Sequence, residues 1–341
     1  MLELYNMNPI LISVLEVLLI CVKVVVVSLI LFMLPLPLTY MERKVAGHIQ
    51  VRLGPFRTGP HGILQPFADM VKLFFKEDII PSKADKFLFR IAPVISMVPV
   101  FAVYATVPFG ESITIPYINK ELTLYISDMN VGILYVLAIA GISVYGMIIG
   151  GWASNSKYPM LGGLRSSAQM ISYELALSFA CVGVVMMANS LSLMDIVRAQ
   201  YDWHWNIIYQ PVGFFIFLIA GIAEINRIPF DMPEDEGTLG AGYHAEYSAM
   251  RFAFFMLTEY VAMVTISTLG VLLFFGGWDG PSFLPGIVWF VLKVIFFIYL
   301  FMWTRFTFPR YRFDQLMTIG WKILLPVSLL NILITGLVIL L

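Results

Sequence analysis

Eight long apolar runs divide this sequence, near residues 10–38, 88–109, 131–152, 168–189, 211–226, 252–276, 286–304 and 323–341. A helix rises 1.5 Å per residue, so about 20 apolar residues cross the hydrocarbon core of a bilayer. Each run except the fifth, which is short, supplies about that length. Backbone polar groups in lipid must be satisfied within the segment, which favours helices over open strands. The expected fold is therefore an all-α integral membrane protein with about eight transmembrane helices. Composition points the same way. Charged residues make up 13% of the chain and hydrophobic residues 60%, against roughly 25% charged residues in a soluble domain. The first run exceeds the apolar core of a signal peptide and is expected to be a retained span. No internal repeat of the inverted-transporter kind, no P-loop and no dinucleotide-binding glycine motif interrupts the pattern.

Lys and Arg placement sets the orientation. The first, third, fifth and seventh connections hold 17 of the 21 basic residues. These connections are expected on the cytoplasmic side, with both termini on the other. A net charge of −1 gives no electrostatic footprint for nucleic acid. Cys21 and Cys181 stand alone in apolar runs, and His48, His61, His204 and His244 are scattered. An iron–sulfur cluster needs about four thiolates, so no metal site is expected, and any redox centre belongs to a partner.

Within a single domain covering 1–341, two connections stand out. The first, 41–87, carries turns at Gly54-Pro55 and Gly59-Pro60, then Ile63, Leu64, Phe67, Met70, Val71 and Phe74 at three- and four-residue steps. Gln65, Asp69, Lys72 and Lys76 fall mostly on the opposite side. This is an amphipathic helix over 61–76, either lying at the membrane surface or docked on the bundle. The fifth connection, 227–251, carries Asp231, Glu234, Asp235, Glu236 and Glu246 among prolines and glycines. It reads either as a solvated loop or as an acid cluster held in a fixed shape beside the membrane. Arg305, Arg310 and Arg312 follow the seventh run, as topology anchors or as cations at the mouth of a site.

Three carboxylates lie inside spans: Glu174, Glu224 and Glu259. A charge at the bilayer centre costs roughly 2.5–3.5 kcal/mol on insertion scales, so such residues usually face the bundle interior. Counted from Arg165, Arg227 and Arg251, they sit about 14, 4 and 12 Å from a cytoplasmic-side charge. Ser167, Ser178 and Cys181 share the face of Glu174, and Gly213, Ala220 and Gly221 that of Glu224. Three acids at graded depth on polar or small-residue faces read as a proton path; the alternative is a set of interhelical hydrogen bonds. Glu16 and Lys23, seven residues apart on one helix, could be partners at bundle positions and are assigned no functional role.

These residues carry a resemblance. The strings are Glu42-Arg43-Lys44 with Gly47 and Gln50, Gly54-Pro55, Gly59-Pro60, Gln65-Pro66-Phe67-Ala68-Asp69 and Gly151-Trp152-Ala153-Ser154-Asn155. Ser172-Tyr173-Glu174, Ala223-Glu224, Asn226-Arg227, Pro229-Phe230-Asp231, Glu246-Tyr247-Ser248, Glu259-Tyr260, Pro309-Arg310, Arg312 and Asp314-Gln315 continue the series. In this order they resemble the quinone-site membrane subunit of respiratory complex I: the H subunit of NADH–quinone oxidoreductase in bacteria, NADH dehydrogenase subunit 1 in mitochondria. The resemblance implies a core membrane subunit of a proton-translocating enzyme, with a quinone-access cavity where the membrane arm meets the hydrophilic arm. Glu174, Glu224 and Glu259 would couple quinone reduction to proton movement, with Glu234 and Glu236 in the acidic loop beside the cavity. Arg43, Phe67, Asp69, Lys72, Phe230, Asp231 and Arg305 would line or guard it. Flavin and iron–sulfur clusters would sit on other subunits, and the implied partners are the hydrophilic-arm quinone-site subunits, small membrane-arm subunits, quinone and membrane lipid.

The family's acidic loop usually carries a further Glu where Thr238 stands here, with Gly237 before it and Asp235 adding charge earlier. The implied place is a bacterial inner membrane, with both termini periplasmic, and the isolated chain is expected to be inactive. The alternative is a homologous anchor in a hydrogenase-type, ferredoxin- or F420H2-linked complex. A free-standing transporter is the third reading, which the lack of repeats disfavours.

Overall fold

A computed structural model describes residues 9–115, 120–232, 240, 242–281 and 283–341, with side chains from Glu16 onward except those of 113–122. The chain is a helical bundle with one short hairpin. The helices are α1 (Pro9–Met33), α2 (Pro35–Ile49), α3 (Gln65–Phe75), α4 (Lys86–Ala102), α5 (Gly132–Ala153), α6 (Lys157–Ala188), α7 (Leu193–Arg198), α8 (Asn206–Tyr209), α9 (Pro211–Glu224), α10 (Ala249–Phe274), α11 (Gly286–Thr307), α12 (Phe313–Thr318) and α13 (Leu325–Leu340). Ser112–Ile115 (β1) pairs antiparallel with Lys120–Thr123 (β2), Ser112 opposite Thr123. This hairpin is the one departure from the expected all-helical reading among the described residues. It lies in the connection after α4, where alternating short residues suit a strand.

Among the described residues, seven helical stretches are long and apolar enough to cross a membrane: Glu16–Ile49, Lys86–Ala105, Gly132–Ala153, Lys157–Ala188, Ala249–Phe274, Gly286–Thr307 and Phe313–Leu340. The expected fifth span is instead the 14-residue α9, about 21 Å long and short of the ~30 Å core. A break at Gln210 separates it from α8. Gln210 is buried and donates from Nε2 to the Gly183 carbonyl at 3.0 Å and Thr335 Oγ1 at 2.9 Å. Pro211 then opens α9 at the position where a missing N–H costs nothing.

Several boundaries differ from the sequence reading. The first apolar run ends at 38, yet the helix restarts at Pro35 and continues to Ile49, so the start of the first connection is helical. The fourth span begins at Lys157, three turns before 168. Its early turns are rich in Gly and Ser, residues that allow close approach. A Cβ on Gly162 would fall 2.8 Å from Gly242 Cα, and one on Gly151 2.5 Å from the Pro159 carbonyl oxygen. The amphipathic segment is helical over Gln65–Phe75 rather than 61–76, because His61 takes a φ of 53° inside a tight turn at Pro60–Gly62.

In lipid, helices associate through close packing and polar contacts rather than water exclusion. The bundle follows that rule around α10, whose apolar window is 94% buried, whereas the window in α1 is 6% buried. Helices α4, α6, α9 and α11 surround α10, and small residues stand at the contacts of the bundle. A Cβ on Gly146 of α5 would meet Ser96 N of α4 at 2.5 Å, and one on Gly221 of α9 the side chain of Ile266 at 2.6 Å. Arg251 Nη2 meets Asp78 Oδ2 at 2.8 Å, and Ile79 N donates to Ser248 Oγ, fastening the chain after α3 to the start of α10. The last span widens into a π-helical turn over Ile319–Leu324 just before Pro326, a place where a normal turn would drive the ring into the preceding carbonyl.

Candidate functional site

Glu174, Glu224 and Glu259 reach the interior from α6, α9 and α10. Glu224 and Glu259 line one internal cavity of about 30 Å³, with Ser143, Thr258 and Thr265 among its walls. That volume holds at least one water. Glu224 Oε2 is buried with no hydrogen-bond partner among the described residues. Glu174 stands beside the cavity, on the α5–α6 contact, where a Cβ on Gly141 would fall 2.4 Å from its Oε1. It lies within electrostatic range of Glu224. The three acids expected from the sequence are thus brought together, two on a shared wall and the third at its side.

Arg227 serves in the sequence only as a cytoplasmic-side charge, and the structure gives it partners inside the bundle. Arg227 is 6% exposed. Its Nη1 donates to Glu42 Oε1 at 3.1 Å and Oε2 at 3.4 Å, and its Nη2 lies 4.0 Å from Glu259 Oε2. Tyr260 OH donates to Glu42 Oε2 at 2.8 Å, its ring lies 4.7 Å under the Arg227 guanidinium, and Arg305 Nη1 also donates to Glu42 Oε1. Glu42 is 8% exposed. A buried carboxylate with two guanidiniums and a phenol is charge-compensated.

Glu259 is reached from the opposite direction by Tyr243, whose hydroxyl donates to Oε1 at 3.1 Å. Tyr243 is fully buried and packs edge-on against Phe255. The backbone around Glu224 is held by Gln169, which is completely buried. Its Nε2 donates to the carbonyls of Ala223 and Phe230, each at 2.7 Å, and to Asn226 Oδ1 at 3.3 Å. Asn226 takes a φ of 55°, a left-handed conformation that Asn tolerates well. The turn it makes lets the chain leave α9 while Arg227 points back into the bundle.

The residues expected at the quinone cavity fall into two groups. Arg43 Nη1 donates to Asp69 Oδ2 at 2.6 Å, and Gln65 Nε2 to Asp69 Oδ1 at 3.2 Å. Phe67 and Lys72 are exposed on the same helix, α3, as are Val71 and Phe74. Arg43 follows Glu42 directly, so one peptide joins this surface to the buried network that also holds Arg305. Phe230 and Asp231 form the second group. Phe230 packs between Tyr173 and Tyr311, with ring centres 5.5 and 5.8 Å away. Buried Asp231 accepts from Arg310 Nη2 at 3.0 Å. Glu234, Glu236, Asp235 and Thr238 lie outside the described residues.

Glu42, Arg227, Tyr243, Tyr260 and Gln169 do not stand out as site residues in the sequence. Glu42 and Arg227 stand within the motif strings, but they are 185 positions apart, and no local pattern pairs them. Glu16 does not need Lys23: Lys23 Nζ donates to Thr123 Oγ1 at 2.6 Å and to the Tyr125 carbonyl at 3.1 Å, tying α1 to the hairpin. Lys293, in α11, donates to the carbonyls of Phe275, Gly277 and Asp279 at 2.6–3.0 Å, closing the C-terminal end of α10. Among the described residues no group of three or more His, Cys, Asp or Glu side chains is placed to hold a metal ion.

Comparison with known proteins gives the same picture from an independent direction. A family model described as NADH dehydrogenase matches residues 22–336. The second of the NADH-quinone oxidoreductase H subunits of Rhizobium meliloti (strain 1021) is 61% identical over 317 residues, 93% of this chain and 96% of the relative. A protein of the same name from Geobacter metallireducens is 54% identical over 326 residues, covering 93% and 94% of the two chains. The NADH-quinone oxidoreductase H subunit of Brevibacillus brevis is 52% identical over 304 residues, covering 88% and 87%. With the buried acids, the Glu42–Arg227 network and the multi-span bundle already in place, these matches show that the chain belongs to the NADH dehydrogenase family, among the H subunits of NADH-quinone oxidoreductase.

Proposed function

We propose that this chain is a core membrane subunit of a proton-translocating NADH-quinone oxidoreductase, and that it forms the quinone-access cavity and the carboxylate path that couples quinone reduction to proton movement. The observation that carries the reading is the pairing of Glu224 and Glu259 on one interior cavity, with a buried, unpartnered oxygen on Glu224. A carboxyl in such a place changes protonation when a nearby charge changes, because little water screens the two. Glu259 is within reach of Arg227, and Arg227 shares Glu42 with Arg305. Reduction of a quinone near Arg43, Phe67, Asp69, Lys72 and Arg305 adds negative charge at one end of this network. Arg227 and Arg305 shift toward that charge, Glu259 loses part of its cationic partner, and a proton moves onto the acid line.

In this reading α9 crosses as an eighth, discontinuous span completed by α8. The connections rich in Lys and Arg face the cytoplasm of a bacterial cell, and both termini face the periplasm. The exposed apolar side of α3, with Phe67, Val71 and Phe74, rests on the lipid interface. Phe230 and Asp231, held by Tyr311 and Arg310, immediately precede the acidic segment with Glu234 and Glu236, which meets the hydrophilic partners in this reading. Electrons arrive through flavin and iron–sulfur groups on those partners, and the chain alone reduces no quinone. The test is Glu224→Gln in the assembled enzyme, with NADH oxidation and proton uptake measured together. Loss of pumping is expected; unchanged reduction and unchanged pumping remove the acid from the mechanism.

A further inference from the structure

The three interior acids stop short of the far side of the membrane. Glu259 lies ten residues into α10, about 15 Å from the end of the helix beside Arg251. From Met263 to its last residue, Phe274, the helix is buried throughout, and beyond Glu259 it carries no further Asp, Glu, Lys, Arg or His. It does carry hydroxyls. Thr265 is six residues further along, about 9 Å deeper, and it lines the same cavity as Glu224 and Glu259. Its Oγ1 lies 3.3 Å from the hydroxyl of Tyr104, at the end of the α4 span. Thr265 and Tyr104 are buried, with exposures of 4% and 2%, and Thr268, three residues along α10 from Thr265, is buried as well.

Each of these groups has a local explanation taken singly. Thr265 Oγ1 donates to the Val261 carbonyl at 2.9 Å, the usual resting place for a threonine hydroxyl in a helix. The same hydroxyl is also placed to donate to Tyr104 OH at 3.3 Å, so its single proton has two acceptors within reach. The bond to Val261 does not explain why a tyrosine hydroxyl from another helix is aimed at this point in an otherwise apolar core, nor why the wall beneath it belongs to the cavity of the acids. Past Tyr104 the way is apolar. Val107 is fully buried, and Phe109 stacks on Tyr104 at 6.2 Å and meets Phe290 edge-on at 6.0 Å. Two residues after Phe109 in the chain comes Glu111, half-exposed, accepting from Arg198 Nε at 3.1 Å and Tyr201 OH at 3.2 Å. The sequence along this line is acid, water-sized cavity, hydroxyl pair and aromatic plug.

We propose that Thr265 and Tyr104 extend the carboxylate path past the membrane midplane, as a hydroxyl relay closed in this structure by Val107 and Phe109. The proposal rests on the proton-coupling role assigned above to Glu224 and Glu259. In the relay a proton leaves the carboxyl of Glu224 or Glu259 for a water in the cavity. That water passes one of its own protons to Thr265 Oγ1, whose own proton turns from the Val261 carbonyl to Tyr104 OH, and Tyr104 gives up its hydroxyl proton to water on the far side when Val107 and Phe109 part. Each O–H bond that forms is matched by one that breaks. No hydroxyl in the line changes charge once the transfer is complete, and no redox partner is involved.

The experiment uses the assembled enzyme in sealed vesicles, with NADH and a short-chain benzoquinone analogue as substrates, and reads the initial rate of proton translocation. Thr265→Val keeps the side-chain shape and removes the hydroxyl; Thr265→Ser keeps the hydroxyl and removes the methyl. The proposal expects Thr265→Val and Tyr104→Phe each to lower the translocation rate at least tenfold, with Thr265→Ser close to the parent. A parental rate in Thr265→Val and Tyr104→Phe overturns it. So does an equal loss in Thr265→Val and Thr265→Ser, because packing then accounts for the effect. Glu224→Gln, measured alongside, separates the two readings. If Glu224→Gln abolishes translocation while the hydroxyl variants do not, the acid path stands and the relay fails. If Glu224→Gln pumps like the parent, the acid path itself fails.

Discussion

Removing the carboxylate of Glu42 tests whether the buried network holds its members in place. The charge of Glu42 faces Arg227 at 3.1 Å, and both residues are less than 10% exposed. At an effective dielectric of about 20, two unit charges at that separation attract by about 5 kcal/mol. Most of this offsets the cost of taking both ions out of water. Deleting one partner of such a pair costs about 3–5 kcal/mol, because the other charge keeps its burial cost. Arg227 also has Glu259 at 4.0 Å and the ring of Tyr260 at 4.7 Å, so the lower end, about 3 kcal/mol, is expected for Glu42→Leu.

A double-mutant cycle isolates the pair. Arg227→Met alone is expected to cost a similar amount. The double variant Glu42→Leu with Arg227→Met is expected to recover about 2 kcal/mol relative to additivity. Recovery stays incomplete because Arg305 also donates to Glu42. The assay is reversible detergent unfolding of the purified subunit, read by far-ultraviolet circular dichroism. A coupling energy below about 0.5 kcal/mol, the level of an exposed ion pair, would refute the argument that this network is electrostatically tight. The same variant has a functional signature. Without Glu42, Arg227 has Glu259 as its remaining carboxylate neighbour at 4.0 Å, so proton translocation is expected to slow even in protein that remains folded.

Gln169→Leu removes donors to two buried carbonyls, those of Ala223 and Phe230. It is expected to cost about 2–4 kcal/mol and to lower proton translocation by loosening the turn after Glu224; unfolding and pumping of the same preparation check both. Gly162→Ala places a methyl against the Gly242 backbone at 2.8 Å. It should push Tyr243 off Glu259 and reduce coupled activity, and a parental rate would show that the Tyr243 contact is dispensable. Arg43→Ala breaks a pair whose side chains are 49% and 31% exposed, so stability should change by less than about 1 kcal/mol. If Arg43 guards quinone access, the apparent KM for quinone rises while the KM for NADH does not.

The long spans were legible because little besides a bilayer excludes charge over about 20 successive residues. The three interior acids were legible for the same reason, as exceptions to that exclusion. What escaped was set by contacts between distant segments. The helix α2 continues past the apolar run because Glu42 and Arg43 have partners in the bundle and on α3, which a hydropathy window cannot see. The burial of Arg227 was not legible, because arginine is usually exposed; only the approach of α2 and α10 buries it. The fifth span is short because Gln210 breaks it and satisfies its own amide on α6 and α13, a solution written in no single segment. Helix α6 starts three turns early because its glycines let the backbone of Gly242 come close, a benefit invisible to propensity.

The placement of Glu224 shows how these departures serve one end. An acid in a span is expensive wherever water is absent, so the surrounding chain has to fix both its position and its access to a proton. Gln169 fixes the first by binding the carbonyls on either side of the turn, Ala223 before Glu224 and Phe230 after it. The left-handed Asn226 fixes the second, since it turns Arg227 inward to Glu42 and Glu259 instead of outward to solvent. The turn that ends α9 therefore sets the geometry of two acids on different helices with one arginine. An extra residue between Glu224 and Arg227 would rotate that guanidinium away from Glu259 while leaving α9, its hydropathy and the cavity wall unchanged. The spacing Glu224-Ile225-Asn226-Arg227 is thus a mechanical requirement of the network, and helix propensity alone would not demand it.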